Sequence, residues 1–179
     1  HDANATDFTS DILRHLDQGK TVILDLGNAE DIIRQYFSDI LSASVFSHQE
    51  RKFTSNELHK HYIQLYFEEA HNLFPASSSN TSDIYSRFAK EGAKFHIGMI
   101  YSTQSPSTIS KELLAQTENF FVGHLSSQDE AHTLVRLQVA FDGIEQDILR
   151  AKTPGFMRML TMSNRFVVPV QAKLYQKSN

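Results

Sequence analysis

His61-Tyr62-Ile63-Gln64-Leu65-Tyr66-Phe67-Glu68-Glu69-Ala70-His71-Asn72 is the stretch whose reading decides the fold. β-branched and aromatic residues run up to Phe67 between polar flanks, which predicts a buried strand rather than a helix. The run stops abruptly at two adjacent carboxylates, Glu68 and Glu69. A strand of this kind feeds its last residues to the carboxyl edge of a sheet, where open α/β folds take their ligands. Two acids delivered there suit one division of labour: one positions Mg²⁺ or its waters, and the other activates an attacking water. A bare pair of glutamates is more often a solvated strand end, so the rest of the chain has to carry the decision.

Working upstream, Phe8, Ile12, Leu13 and Leu16 form a helical stripe over residues 7–18, closed by Gly19. Thr21-Val22-Ile23-Leu24-Asp25-Leu26 reads as a buried strand, stopped by Gly27-Asn28. A second amphipathic helix carries Ile32, Ile33, Tyr36, Phe37, Ile40 and Leu41 on one face, and the polar residues 46–60 read as its end plus a surface loop. Downstream, Pro75–Ser82 has the composition of a mobile loop, and Ser82 or Asp83 can cap a helix running to Gly92. Phe95–Tyr101 reads as a third strand, and a helix after Pro106 carries Ile109, Leu113 and Leu114. Phe120–Gly123 reads as a short fourth strand, followed by helices over 127–139 and 144–150. The tail predicts a hairpin, Phe156–Leu160 with Arg165–Leu174, turning at Met162-Ser163-Asn164. Strands separated by helix-length crossovers predict one α/β domain over 1–179: a mainly parallel sheet flanked by helices, with an antiparallel C-terminal ending.

The bulk properties narrow the function classes. A length of 179 residues suffices for one α/β domain with a substantial core. The net charge of −4 excludes a basic nucleic-acid-binding domain, so any DNA contact would come from a local loop. The absence of cysteine excludes disulfides and thiolate metal sites. No apolar run approaches the roughly 20 residues needed to cross a bilayer. The chain begins at His1 rather than Met, which predicts a piece of a longer protein.

In a parallel sheet the Glu68–Glu69 pair and Gln104 would emerge on one rim, from neighbouring strands. A carboxylate pair beside a neutral amide that touches both water and a phosphate oxygen is a nucleotide-hydrolysis arrangement. Asp25 lies within its strand and reads as structural. The nine histidines include no His-Glu-x-x-His and no i, i+4 pair, which excludes the usual zinc patterns. His71, two residues after Glu69, reads as a group orienting the loop. Nothing matches Gly-x-x-x-x-Gly-Lys-[Ser/Thr], so no phosphate-cradling loop lies within these residues.

Taken together, the segments resemble those of the HerA-type ATPases, in the HerA/FtsK superfamily of hexameric DNA pumps. Glu68-Glu69-Ala70-His71-Asn72-Leu73-Phe74-Pro75 resembles the family's Walker B segment. Gly19–Leu26 is similar to the strand before a long helix, and Arg87–Phe95 to the "R-x-A-R-E-G-R-K-F/Y" stretch. Ser102-Thr103-Gln104-Ser105-Pro106-Ser107 resembles the "A-T-Q-R-P-S" sensor, and Leu113–Asn119 with His124–Asp129 the "L-S-Q-C-N-T … R-L-x-N-x-x-D" continuation. The ordered set covers roughly residues 19–170.

The resemblance implies a RecA-like core of the P-loop NTPase type, ATP with Mg²⁺, a hexameric ring and DNA in its pore. It also implies a prokaryotic cytoplasmic setting without a membrane, and a nuclease partner in DNA processing or phage defence. By carry-over Glu68 takes the metal side, Glu69 the catalytic base and Gln104 the γ-phosphate sensor. All three would face the nucleotide. The resembled family usually has Asp where this chain has Glu68, and arginines where it has Lys90, Ala93 and Ser105. Arg87, which shares a helix face with Lys90, is the candidate for the arginine that acts across a subunit interface, with Arg136 and Arg150 as alternatives. With the Walker A half absent, the chain reads as the C-terminal portion of such an ATPase domain. The alternatives are a degenerate ATPase fold kept for assembly or nuclease docking, and an unrelated hydrolase using the Glu pair directly.

Overall fold

The structure, a computed structural model, describes residues 8–27, 29–75 and 84–175. The chain divides into two compact units, His1–Ser102 and Thr103–Asn179. The expected mobile loop and the Ser82/Asp83 cap fall almost wholly on residues 76–83, outside the described ones.

The first unit contains α1 (Phe8–Asp17), α2 (Asp31–Thr54), β1 (Ile63–Phe67), α3 (Ile84–Glu91) and β2 (Ile97–Tyr101). β1 and β2 are parallel, in register from Ile63 opposite Ile97 to Phe67 opposite Tyr101. Side chains alternate across a strand, so Ile63 turns inward while Tyr62 and Tyr66 turn out, 70% and 57% exposed. Ile100, opposite Tyr66, is 51% exposed on the same face. The inner face belongs to a core of Val45, Phe46, Phe74, Tyr85, Phe88 and Phe95. Phe46 makes most of its own contact geometry there, 5.1 Å from the Phe95 ring and 5.6 Å from that of Phe88.

One expectation needs correcting in this unit. α2 continues to Thr54, so that the expected helix end is residues 46–54 and the loop follows it. Phe46, Gln49 and Phe53 recur there at helical spacing, and the buried Gln49 amide donates to the Phe95 carbonyl at 3.0 Å. The strand expected at Thr21–Leu26 does not form, and Ile23 is 86% exposed. A strand exists only through a paired neighbour, and among the described residues β1 and β2 pair with each other alone. Asp25 caps its own turn instead, accepting from the Gly27 amide at 2.8 Å, which fits its structural reading.

The crossover from α3 into β2 explains one glycine of the "E-G" step. A Cβ on Gly92 would stand 2.8 Å from the backbone carbonyl oxygen of Ile97. Backbone cannot step aside as a side-chain tip can, so Gly92→Ala should destabilise the chain by about 1–3 kcal/mol. Urea unfolding checks this, and an unchanged midpoint would show that the crossover relaxes freely.

The second unit contains α4 (Lys111–Ala115), β3 (Phe120–Val122), α5 (Gln128–Leu137), α6 (Glu145–Arg150), β4 (Phe156–Thr161) and β5 (Asn164–Gln171). The Ser127 hydroxyl starts α5 by accepting from the Asp129 amide at 3.2 Å. β4 and β5 form the expected hairpin, with its turn at Met162-Ser163. β3 pairs antiparallel with β4, Phe120 opposite Leu160, rather than joining a parallel sheet. Its three residues carry no orientation signal of their own, and the hairpin supplies an open edge for them. Phe120, Leu134, Phe141, Ile148 and Leu160 form the core of this unit. Among the described residues no helix is long and apolar enough to cross a membrane.

Candidate active site

The site begins where β1 and β2 end at the same rim. The ladder continues one step past both strands: the Ser102 amide donates to the Phe67 carbonyl, and the Ala70 amide to the Ser102 carbonyl, each at 2.9 Å. Ser102 therefore stands opposite Glu68, and Tyr66 precedes Glu68 by two on the same face. Both neighbours use their hydroxyls. Tyr66 donates to Glu68 Oε1 at 2.9 Å, and Ser102 Oγ donates to Glu68 Oε2. These bonds, that from Ser102 first, hold the Glu68 carboxyl below the usual carboxylate range against a small opposing effect of burial.

Glu69 differs from its neighbour in backbone and surroundings. Its φ of 49° and ψ of 48° place it in the left-handed region, which costs a non-glycine residue of order 1–3 kcal/mol. Its carbonyl accepts from the Asn72 amide at 2.9 Å, opening a single 3₁₀ turn over Ala70–Asn72. The turn brings His71 Nδ1 to 3.4 Å from Glu69 Oε2. The Glu69 side chain remains 57% exposed. One acid is thus anchored through both oxygens, and the other is displayed to solvent on a strained turn. Behind the rim, Phe67, Phe74 and Tyr101 pack edge to face.

The other expected residues belong to other elements. Gln104 opens the second unit in an exposed bend, where the Ser105 amide donates to Thr103 Oγ1 at 3.0 Å. Arg87, on α3, lies 4.1 Å over the Phe46 ring, with Glu50 at 3.5 Å and Glu91 at 3.7 Å. Lys90 is exposed on the same helix. Arg136 lies in the last turn of α5 and Arg150 ends α6, both exposed. His61 and His96 serve the opposite, amino end of the strands: His61 Nε2 meets the Leu16 carbonyl at 2.9 Å, and His96 stacks on Tyr62. Ser102 and Tyr66 were missed as parts of the site. The Tyr-x-Glu spacing was visible, but the bond from Ser102 depends on strand register.

Among the described residues no cluster of three or more His, Asp or Glu could hold a metal unaided. That suits Mg²⁺ in phosphate chemistry, which binds through one or two carboxylates, water and the substrate phosphates. Glu68, ionised and fixed, is the donor that fits.

No protein-family model matches the chain. A DNA double-strand break repair helicase HerA of Saccharolobus solfataricus is 32% identical over 121 residues, 65% of this chain and 24% of that protein. The corresponding HerA of Sulfurisphaera tokodaii is 31% identical over 116 residues, 63% of this chain and 23% of its own length. A probable helicase of Methanocaldococcus jannaschii is 32% identical over 93 residues, 51% of this chain and 17% of that protein. The chain thus spans under a quarter of the length of these curated relatives. Among solved structures, the genome packaging NTPase of Sulfolobus turreted icosahedral virus 2, in complex with ATP-gammaS, superposes with a TM-score of 0.66 at 16% identity. That match covers 96% of this chain and 74% of the other. The resemblance to HerA-type ATPases is borne out by the relatives, and the chain shares its fold with that packaging NTPase.

Proposed function

We propose that this chain supplies the acid-and-sensor half of an ATP-driven motor acting on DNA. What carries the reading is the placement of Glu68 and Glu69 at the shared carboxyl rim of a parallel strand pair, in a sequence similar to HerA helicases. Glu68 faces the metal side. Glu69 takes the proton of the attacking water, helped by an exposed position and the neighbouring His71. Gln104 touches the γ-phosphate and that water. Mg²⁺, when bound, neutralises charge on the phosphate oxygens.

Arg87 acts across a subunit interface with Lys90 assisting, in a ring of six copies with DNA through its pore. Its exposed ion pairs with Glu50 and Glu91 are worth at most about 1 kcal/mol, a small barrier to exchange for a phosphate. The setting is the prokaryotic cytoplasm, with a nuclease as working partner, in DNA processing or antiviral defence. The two units act as parts of one ATPase core.

The test uses the full-length protein. It should hydrolyse ATP only with Mg²⁺, and faster with double-stranded DNA present. Turnover that ignores both would overturn the reading. A second reading, a degenerate fold kept for assembly, is favoured by Lys90, Ala93 and Ser105 standing where the resembled family has arginines. A tight complex with a partner and no turnover would select it.

A further inference from the structure

The loop that carries Gln104 is held by a residue far along the second unit. Gln104 lies in an exposed bend, and a short 3₁₀ turn over Pro106–Thr108 follows it. Ser107 in that turn gives two donors to one carboxylate. Its amide reaches Glu130 Oε2 at 2.7 Å, and its hydroxyl reaches Glu130 Oε1 at 2.6 Å. Glu130 stands 23 residues away, in the first turn of α5. We propose that Glu130 is a positioning residue, clamping this loop so that Gln104 is held where it meets the γ-phosphate and the attacking water. The inference rests on the proposed function and deepens it.

The local sequence gives Glu130 a different task from the one it performs. Ser127-Gln128-Asp129-Glu130 has the Ser-x-x-Glu pattern of a helix that caps itself, in which the glutamate turns back to the amide of the capping serine. Ser127 does its part, accepting from the Asp129 amide at 3.2 Å. The Glu130 carboxylate is turned instead to Ser107, through both oxygens. Two bonds to one residue fix direction as well as distance, and bonds to a carboxylate are among the strong ones. The loop is stiffened on both sides of its bend. The Ser105 amide donates to Thr103 Oγ1 at 3.0 Å, and the Thr108 hydroxyl to the Ser105 carbonyl at 2.8 Å. Pro106 and Ile109 are buried and anchor the downstream end. Those bonds shape the loop, and the pair to Glu130 ties it to α5. A reacting group displaced by about 1 Å can cost ~10²-fold in rate, so an amide on an exposed bend depends on such a tie.

Variants of the full-length protein test this, read by ATP hydrolysis and by hydrogen exchange at the Ser107 amide. Glu130→Ala should lower kcat about tenfold and change KM for ATP by less than about twofold. It should also speed exchange of the Ser107 amide about tenfold or more, and leave the amides of β4 as they were. Glu130→Gln should recover most of the rate, because its side chain can accept from the Ser107 amide and donate to the Ser107 hydroxyl. In a Gln104→Ala background, Glu130→Ala should slow hydrolysis no further, since the group it positions is gone. A general loss of stability would not spare that background. An equal fall in both backgrounds, no fall in either, or a Glu130→Gln as slow as Glu130→Ala overturns the inference. If Gln104→Ala turns over at the wild-type rate, the sensor role and the inference fall together, while turnover that needs Mg²⁺ and responds to DNA keeps the motor reading. If the wild type hydrolyses nothing, the motor reading falls and exchange decides the rest. Faster exchange at Ser107 in Glu130→Ala then keeps the clamp, and unchanged exchange removes it.

Discussion

Glu69→Gln in the full-length protein should leave nucleotide binding in place and slow hydrolysis by about 10²-fold or more. Glutamine keeps the size and the hydrogen-bonding reach of the side chain but cannot accept the proton of the attacking water. The surroundings support a selective effect. The Glu69 side chain is more than half exposed, and its carboxylate lies 3.4 Å from His71 Nδ1. The left-handed backbone belongs to both variants equally, so the turn that presents the side chain should persist. Binding is checked by calorimetry with ATP, and turnover by single-turnover phosphate release. Wild-type turnover by Glu69→Gln would remove Glu69 from the role of base. Glu68→Gln should part from it by weakening Mg²⁺ dependence, since that side chain is the anchored one.

The second large effect belongs to the core. Phe46→Ala should cost about 3–5 kcal/mol of stability. Phe46 is 1% exposed and sits between the Phe88 and Phe95 rings, at 5.6 and 5.1 Å. Its removal leaves a cavity bounded by two rigid rings, which cannot collapse into it cheaply. It also strips the ring from beneath the Arg87 guanidinium, 4.1 Å away, with a further loss of roughly 0.5–1 kcal/mol. Urea denaturation measures it, with Phe121→Ala, at 61% exposure, as a control expected within about 0.5 kcal/mol of wild type. A cost for Phe46→Ala below about 1 kcal/mol would show that this cluster is not the centre of the unit.

The parts of the fold legible in the sequence were those whose signal is local. β1 and β2 announced themselves as apolar runs, and the Met162-Ser163 turn as a break between two of them. The residue at which α2 stops was hidden because its second half is polar by count. Helical spacing of Phe46, Gln49 and Phe53 carries it, and Gln49 is buried for the sake of one carbonyl. Thr21–Leu26 failed for the opposite reason: a strong local preference for extended chain is not a strand without a partner. The Glu68–Glu69 pair was legible because adjacency is written in the sequence. The tether from Ser102 was not, because residues 34 apart are neighbours only once the parallel register is known.

The uncharged, proline-free run from Tyr62 to Phe67 has a further consequence, for colloidal behaviour. It is a β-prone segment with tyrosines on its open face, on a strand whose outer edge pairs with no other strand among the described residues. Segments of this composition seed intermolecular sheets, and charged residues at their ends are what natural sequences use to prevent it. Here the charges at the downstream end are Glu68 and Glu69 themselves. Like charges brought into stacked register repel, so the pair assigned to chemistry also keeps copies of the strand from pairing end on end. A chain that loses both charges exposes an unguarded adhesive edge before it ever meets a nucleotide.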